Sequence, residues 1–263
     1  MPHAMLAAHR LYYEETGRKD GPVLVLLNGL TMSTAAWSLM LPALEARYRL
    51  IRLDFVGQGQ SDKPEAPFYP LDRQAADLAA LLDWRGIGRC HMAGLSYGGL
   101  VAQHFARDFG QRLKRLLLAA TFARSGAVNA ALGTAWQAVQ TAGGAALRQQ
   151  VSLPWFFSDT FLTEQAVRLP ELARVAAEVD WPACLRLMEG AGRHDARSWL
   201  GQVRCPVRVV VGSADRLTPP YEAEALVTAL PDAHLEIVPG AGHALHLEAP
   251  AALARAIIEH CTD

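Results

Sequence analysis

The stretch Gly94-Leu95-Ser96-Tyr97-Gly98 is the most informative part of this chain. It follows the apolar run 90–93, and it precedes a segment, 98–109, whose pattern predicts a helix. A Gly-x-Ser-x-Gly sequence between a strand and a helix is typical of a nucleophile elbow, in which glycines allow the two backbones to approach closely. The stretch therefore predicts a reactive serine, Ser96. An ordinary turn serine in a glycine-rich loop is the alternative.

Two further residues supply the groups that a serine nucleophile requires. The apolar run 206–211 leads to Asp215, and the short run 234–238 leads to His243. A serine hydroxyl needs an imidazole to take its proton, and the imidazole needs a carboxylate to fix its tautomer. Ser96, Asp215 and His243 each come just after a predicted strand, so the sequence predicts that they form a catalytic triad.

Other residues compete for two of these roles. His246 lies close to His243, but we favour His243 because it directly follows a glycine at the end of a predicted strand. Asp180 and Asp195 compete with Asp215, but both fall in a helical segment away from the strand ends. No cluster of histidine and acidic residues has the spacing of a metal site, so no metal ligand is predicted.

Strand and helix patterns alternate along most of the chain. This alternation predicts an α/β fold with a doubly wound, mostly parallel sheet, in which ligands bind beyond the carboxyl ends of the strands. Strands are predicted at 11–15, 23–28, 49–55, 90–95, 113–120, 206–211 and 234–238, and helices at 35–47, 70–84, 98–109, 220–230 and 250–260.

The alternation stops between residues 124 and 202. Helical patterns rich in Ala, Leu and Arg replace it, with Gly and Pro interruptions. We expect a helical lid, 124–202, inserted after the strand predicted at 113–120, between two parts of one core, 1–123 and 203–263. A lid would cover the nucleophile, exclude water and line an apolar pocket. Packing between lid helices is the alternative role for its aromatic residues. The candidate pocket residues are Trp155, Phe157, Phe161 and Leu217.

The composition excludes several classes of function. The chain has 263 residues, of which 51% are apolar, and a formal charge of −1 from 25 basic and 26 acidic residues. These values predict a globular enzyme with a small-molecule substrate, and they favour neither a nucleic acid nor a membrane as partner. Residues 1–10 lack the pattern of a signal peptide, and the four cysteines are scattered, so we expect reduced thiols and a cytoplasmic protein.

The chain resembles the α/β-hydrolase superfamily, in its small bacterial branch of esterase-like and lactonase-like enzymes. The resemblance covers nearly the whole length and implies an acyl-enzyme mechanism on a Ser-His-Asp triad, without metal or organic cofactor. It also implies that the helical lid is inserted after the sixth strand of the family's sheet. By family position, the backbone amides of Leu30 and Tyr97 would form the oxyanion hole. The stretches that carry the resemblance are Asn28-Gly29-Leu30, the loop 54–62, the elbow, the Asp215 turn that ends in Pro219-Pro220, and Gly242-His243.

Two positions depart from the pattern of many relatives. Asn28 stands where they have His before the glycine, and Val56 and Gln58 replace the Arg and His of the second loop. The oxyanion hole is built from backbone amides, so the change at Asn28 need not abolish it. An Asn-Gly turn also occurs in acyltransferases of this superfamily, which keeps acyl transfer open.

The sequence thus predicts a serine hydrolase that cleaves a small to medium carboxylic ester or lactone through an acyl-enzyme on Ser96. A carboxylate nucleophile, which dehalogenases and epoxide hydrolases of this fold need, is excluded by the serine. An acyltransferase or thioesterase with the same triad is the first alternative. A ligand-binding receptor on a hydrolase scaffold is the second.

Overall fold

A mostly parallel sheet of eight strands forms the centre of the protein. The computed structural model describes residues 3–6 and 9–262. The strand order is β1-β2-β4-β3-β5-β6-β7-β8, in which β2 pairs antiparallel with β1 and β4 and all other pairs are parallel. This confirms the predicted sheet. The strands are β1 His3–Leu6, β2 His9–Gly17, β3 Val23–Leu27, β4 Arg49–Leu53, β5 Cys90–Leu95, β6 Leu113–Ala119, β7 Val207–Gly212 and β8 Ala233–Val238.

Helices cover both faces of the sheet. The helices are α1 Leu41–Glu45, α2 Leu71–Trp84, α3 Tyr97–Phe109, α4 Ala127–Phe156, α5 Asp159–Glu164, α6 Leu169–Ala177, α7 Trp181–Gly192, α8 Pro220–Ala229, α9 Leu245–Glu248 and α10 Pro250–His260. Buried side chains of α2, α3 and α8 share one hydrophobic core, and those of α1 and α10 share the other.

Strand β3 shows why its sequence is a continuous apolar run. Val25 and Leu27 pack into the first core, whereas Leu24 and Leu26 pack into the second. Successive side chains of a strand point to opposite faces, and here both faces are covered by helices. Four consecutive residues of the strand are therefore buried, and each face of the sheet gains apolar contacts.

Helices α4 to α7 are inserted between β6 and β7. Gly144 interrupts α4, because its φ of 65° and ψ of −159° are not helical. Glycine adopts a positive φ without the steric cost that a Cβ would bring. Glycine interruptions were predicted within 124–202, and at Gly144 α4 is divided into two helical segments.

The helix at 35–47 and the first strand differ from the sequence-based expectation. The predicted helix at 35–47 is a 3₁₀ helix, Thr34–Met40, followed by the short helix α1. Pro42 lies in the first turn of α1, where its missing N–H costs nothing and helix initiation is favoured. Strand β1 was not predicted, because four residues with one buried face give almost no periodic signal.

All four cysteines are unpaired and buried. Within residues 3–6 and 9–262, no helix is long and apolar enough to cross a bilayer.

Candidate active site

Ser96 occupies the sharp turn between β5 and α3. Its φ of 53° and ψ of −113° place a non-glycine residue in a strained region of backbone space. The neighbouring glycines explain why this turn can form. A Cβ on Gly94 would lie 2.5 Å from the carbonyl oxygen of Gly98, and a Cβ on Gly98 would lie 2.3 Å from that of Leu27. The Gly-x-Ser-x-Gly spacing therefore meets a steric requirement of this turn.

The structure brings Ser96, His243 and Asp215 together from three separate strand ends. Nε2 of His243 lies 3.0 Å from Oγ of Ser96, and Nδ1 of His243 lies 2.9 Å from Oδ2 of Asp215. Asp215 is 3% exposed and His243 is 5% exposed. Both distances are those of hydrogen bonds, so a path for one proton runs from the serine oxygen to the imidazole.

The carboxylate of Asp215 is fully engaged. Its Oδ1 accepts hydrogen bonds from the backbone amides of Leu217 and Thr218, at 2.9 and 2.8 Å. Its Oδ2 accepts a 2.7 Å bond from the hydroxyl of Thr218 as well as facing His243. These bonds hold the buried carboxylate in one orientation. The sequence analysis did not single out Thr218, and only its place three residues after the aspartate could have suggested this contact.

The competing residues lie elsewhere. His246 is buried near Trp37, and burial lowers its pKa to about 3. The carboxylate of Asp195 pairs with Arg197 at 2.7 Å, and that hydrogen bond lowers its pKa to about 2. Asp180 caps the first turn of α7 by accepting a bond from the amide of Ala183. None of these contacts joins the Ser96–His243 pair.

The turn at Gly29 and Leu30 is held by a buried glutamine. Nε2 of Gln58 donates to the carbonyl oxygens of Gly29 and Leu30, at 2.8 and 3.1 Å. Oε1 of Gln58 accepts from the backbone amide of Phe55 at 3.2 Å and from Nδ2 of Asn28 at 3.4 Å. The departures from the family pattern, Asn28 and Gln58, thus hydrogen-bond to each other and brace this turn.

The backbone amides of Leu30 and Tyr97 have no acceptor among the residues that the structure describes. Both residues line the same cavity as Ser96. Two uncommitted amide donors beside a nucleophile are the arrangement that an oxyanion hole requires. The sequence-predicted donors are therefore in a suitable place, and their role remains a proposal.

A cavity of about 590 Å³ opens over Ser96. This volume is typical of a pocket for a small organic ligand. Residues of α4 and α7 contribute about half of its lining. Its lining is more apolar than polar. Besides Ser96, the polar lining residues are Ser125, Asn129, Thr134, Gln137, Glu189, Arg193 and Thr218. The apolar lining residues include Leu30, Leu100, Phe122, Leu132, Trp136, Leu185, Met188 and Leu217.

Of the four predicted pocket residues, only Leu217 lines this cavity. Phe157 and Phe161 stack on each other with ring centroids 4.7 Å apart and pack beside Ala244. Trp155 packs against the cluster that contains Trp136 and Trp181. The structure thus corrects three of the four predicted positions, because helix spacing does not reveal which side of an inserted helix faces the cavity.

Phe156, which the sequence analysis did not select for the site, contacts the catalytic histidine candidate. Its ring centroid lies 5.9 Å from that of His243, and it stacks on Trp136 at 5.6 Å. Among residues 3–6 and 9–262, no group of three or more His, Cys, Asp or Glu side chains is arranged to hold a metal ion.

Residues 22–250 match the family model for the alpha/beta hydrolase fold. The match covers most of the chain, so this protein belongs to the α/β-hydrolase family.

Individual relatives agree with this membership. The chain is 28% identical over 251 residues to 3-oxoadipate enol-lactonase 2 of Acinetobacter baylyi, covering 94% of this chain and 91% of that protein. The enol-lactonase of Burkholderia xenovorans has a TM-score of 0.91 and 25% identity, with 98% of both chains covered. An α/β-hydrolase enzyme from a deep-sea metagenome library has a TM-score of 0.92 and 27% identity, over 98% of this chain and 96% of that one. Family and relatives together support a hydrolase.

Proposed function

We propose that this protein is a serine hydrolase that cleaves small to medium carboxylic esters or lactones through an acyl-enzyme on Ser96. The observation that carries the proposal is the hydrogen-bonded series Ser96, His243 and Asp215, with distances of 3.0 and 2.9 Å. Two relatives named as enol-lactonases support an ester-like or lactone substrate. The apolar cavity over Ser96 supplies a binding site for such a molecule.

In the first half-reaction, Oγ of Ser96 attacks the carbonyl carbon while Nε2 of His243 takes its proton. The Nδ1–H of His243 donates to Oδ2 of Asp215, which fixes the tautomer and stabilises the imidazolium. The imidazolium then gives its proton to the leaving alkoxide. In the second half-reaction, His243 takes a proton from water, the resulting hydroxide attacks the acyl-enzyme, and Ser96 leaves with its proton restored.

The backbone amides of Leu30 and Tyr97 stabilise the oxyanion in this proposal. Gln58 orients the first of them through the Gly29–Leu30 peptide. In a trans peptide the C=O and N–H groups point in opposite directions. Because Gln58 holds the Gly29 carbonyl at 2.8 Å, the N–H of Leu30 is directed away from Gln58, and Leu30 itself lines the cavity. We therefore assign Gln58 as a positioning residue for the oxyanion hole.

We further propose that the helical insertion acts as the lid of this site. Residues 129–137 of α4 and 185–192 of α7 line the cavity that opens over Ser96. A cover of mostly apolar side chains excludes water from the serine and leaves space for an apolar portion of the substrate.

A panel of p-nitrophenyl esters of increasing acyl length, together with a simple lactone, tests the proposal. We expect multiple turnovers with wild-type protein and at least a thousandfold loss, roughly, in Ser96→Ala. Ser38→Ala, which changes an exposed serine, should keep wild-type rates. Undiminished turnover in Ser96→Ala would overturn the assignment of the nucleophile. Absence of multiple turnover in the wild type would favour a receptor.

The acceptor is tested by offering an ester together with a millimolar alcohol. We expect free acid to be the main product, because water at about 55 M competes with any acceptor that is not bound in reactive geometry. A predominance of the transesterified product would replace the hydrolase with an acyltransferase.

A further inference from the structure

A buried arginine lies in the helical insertion beside the catalytic cavity. Arg148, on α4, is 6% exposed, which is rare for a charged side chain without a partner of opposite charge. Its Nη2 donates to the carbonyl oxygen of Ala176 on α6, at 3.0 Å. Its guanidinium stacks over the ring of Trp181 on α7, with 4.0 Å between the Cζ atom and the ring centroid. Three helices thus hold this cation in place.

The hydrogen bonds of Arg148 are incomplete. A guanidinium has five N–H donors, and the Arg148 side chain donates one hydrogen bond to the residues that the structure describes. Its Nε is buried and lacks an acceptor. A buried donor without a partner costs roughly as much as a lost hydrogen bond, so native proteins rarely leave one unpaired. A ligand that accepts hydrogen bonds would satisfy the buried Nε of Arg148.

The charge of Arg148 is also unbalanced. No carboxylate among residues 3–6 and 9–262 forms an ion pair with it. The nearby thiol of Cys184 does not balance the charge, because burial raises its pKa to about 12 and keeps it neutral. Burial also lowers the pKa of the Arg148 guanidinium, since desolvation disfavours the charged form. Arginine nevertheless remains protonated inside proteins, so the positive charge persists.

Arg148 lines a side cavity that adjoins the main one. The side cavity has a volume of about 40 Å³, and it shares Leu30, Trp136 and Met188 with the cavity over Ser96. The backbone amide of Leu30 is the proposed oxyanion donor, so the junction formed by these three shared residues includes one residue of the proposed reaction centre. The Nε1–H of Trp136 at this junction is likewise buried and lacks an acceptor. Two separate orphaned donors therefore border one small space.

From this arrangement we propose that Arg148 binds a carboxylate group carried by the substrate. The preferred substrates are then carboxylate-bearing esters or lactones, such as half-esters of short dicarboxylic acids. The planar guanidinium matches the two oxygens of a carboxylate, and a space of about 40 Å³ suits a group of that size. This proposal rests on the proposed function in one respect, namely that the bond cleaved in the substrate is an ester or lactone bond. Carboxylate binding itself can be measured without turnover.

Binding is tested by calorimetric titration of Ser96→Ala protein with succinate, glutarate and adipate. The neutral dimethyl ester of each acid is the matched ligand, which this variant should bind without cleaving. We expect at least one diacid to bind about ten- to a hundredfold more tightly than its dimethyl ester, as charge-assisted hydrogen bonds predict. Equal affinity of acid and ester at all three lengths would overturn the proposal, and this comparison requires no change at Arg148.

The arginine is tested in the same Ser96→Ala background. Arg148→Met should abolish the preference for the diacid, and Arg148→Lys should keep part of it. The control is Arg174→Gln, which removes an exposed arginine on α6 that pairs with Glu171 and Glu178. Its affinities should stay within about twofold of the parent, since surface ion pairs contribute little. An undiminished preference for the diacid in folded Arg148→Met would contradict the assignment.

Kinetics with an intact Ser96 provide the second measurement. The wild type should have a higher kcat/KM for p-nitrophenyl hydrogen glutarate than for p-nitrophenyl pentanoate, and Arg148→Met should reverse that order. If neither ester is cleaved while the diacid still binds through Arg148, the hydrolase proposal fails and the carboxylate site stands. If both esters are cleaved with no preference that depends on Arg148, the hydrolase proposal stands and the carboxylate-site proposal fails.

Discussion

The Ser96 site and the Arg148 site are both buried and polar, but they differ in how completely their hydrogen bonds are formed. Both oxygens of Asp215 accept bonds, and both ring nitrogens of His243 face a partner. Arg148, in contrast, keeps a buried Nε without an acceptor. The first site is built by strand ends of a rigid sheet, whereas the second lies among inserted helices.

This difference agrees with the roles that we propose for the two regions. A catalytic group must already be oriented when the substrate arrives, so its supporting bonds are made within the protein. A binding group can leave donors open, because the ligand supplies the acceptors and the free protein carries the desolvation cost until then. In these proposals the strand ends of the sheet carry the catalytic groups, and the insertion carries the group that selects the substrate.

The largest expected effect comes from breaking the complete site. Asp215→Asn should reduce kcat by about 10³- to 10⁴-fold, because a neutral amide neither stabilises the imidazolium nor selects the correct tautomer. Initial rates with a p-nitrophenyl ester at saturating concentration measure this loss. Asp195→Asn is the matched control, since Asp195 pairs with Arg197 away from His243. If only Asp195→Asn lost activity, the assignment of Asp215 as the catalytic carboxylate would be wrong.

Gln58→Leu should have the next largest effect. It removes the donor that holds the Gly29 and Leu30 carbonyls, at similar side-chain volume. We expect kcat to fall about ten- to a hundredfold with little change in KM, which is less than the loss of a whole oxyanion donor. Gln58→His supplies an imidazole N–H as a replacement donor and introduces the residue found in many relatives, so its kcat should exceed that of Gln58→Leu. A rise in KM with unchanged kcat would place Gln58 in substrate binding instead.

Stability measurements compare the two sites directly. Thr218→Val removes the hydroxyl that donates to Asp215 at 2.7 Å, and it should lower the free energy of unfolding by about 1–3 kcal/mol. Arg148→Met removes an incompletely bonded cation, and it should lower that free energy by less than about 1 kcal/mol or raise it. Urea unfolding of both variants measures the difference. A larger loss in Arg148→Met would mean that the arginine mainly stabilises the fold.

The smallest expected effect is at His246. Burial lowers the pKa of this histidine to about 3, so it stays neutral from about pH 5 to 9. The pH–rate profile of His246→Leu should therefore overlay that of the wild type. A displaced acidic limb in the variant would show that His246 takes part in the titration that controls activity.

The sequence predicted the sheet and the triad candidates for the same physical reason. A strand covered on both faces is a continuous apolar run, and the residues that follow such runs meet at one edge of a parallel sheet. Ser96 and Asp215 follow runs of this kind, whereas His243 follows the partly buried edge strand β8. The structure brings the three residues within hydrogen-bond distance of one another along the series Ser96, His243 and Asp215.

The insertion could not be predicted to the same depth. Which face of α4 borders the cavity depends on how the inserted helices pack, and the break at Gly144 changes the direction of the second segment. Trp155, Phe157 and Phe161 accordingly pack away from the main cavity, whereas Trp136 lines it. The unpaired N–H donors of Arg148 could not be predicted from the sequence either, because the lack of a hydrogen-bond partner depends on three-dimensional contacts and not on residue spacing.

The central claim is a covalent acyl group on Ser96, and intact-protein mass spectrometry of the rapidly quenched reaction tests it most directly. With excess p-nitrophenyl ester, the wild type should gain the mass of one acyl group within the first turnover. Peptide mapping should place that group on Ser96, and Ser96→Ala should gain nothing. An acyl group on another residue, or full turnover without any acylated protein in the quenched samples, would contradict the account.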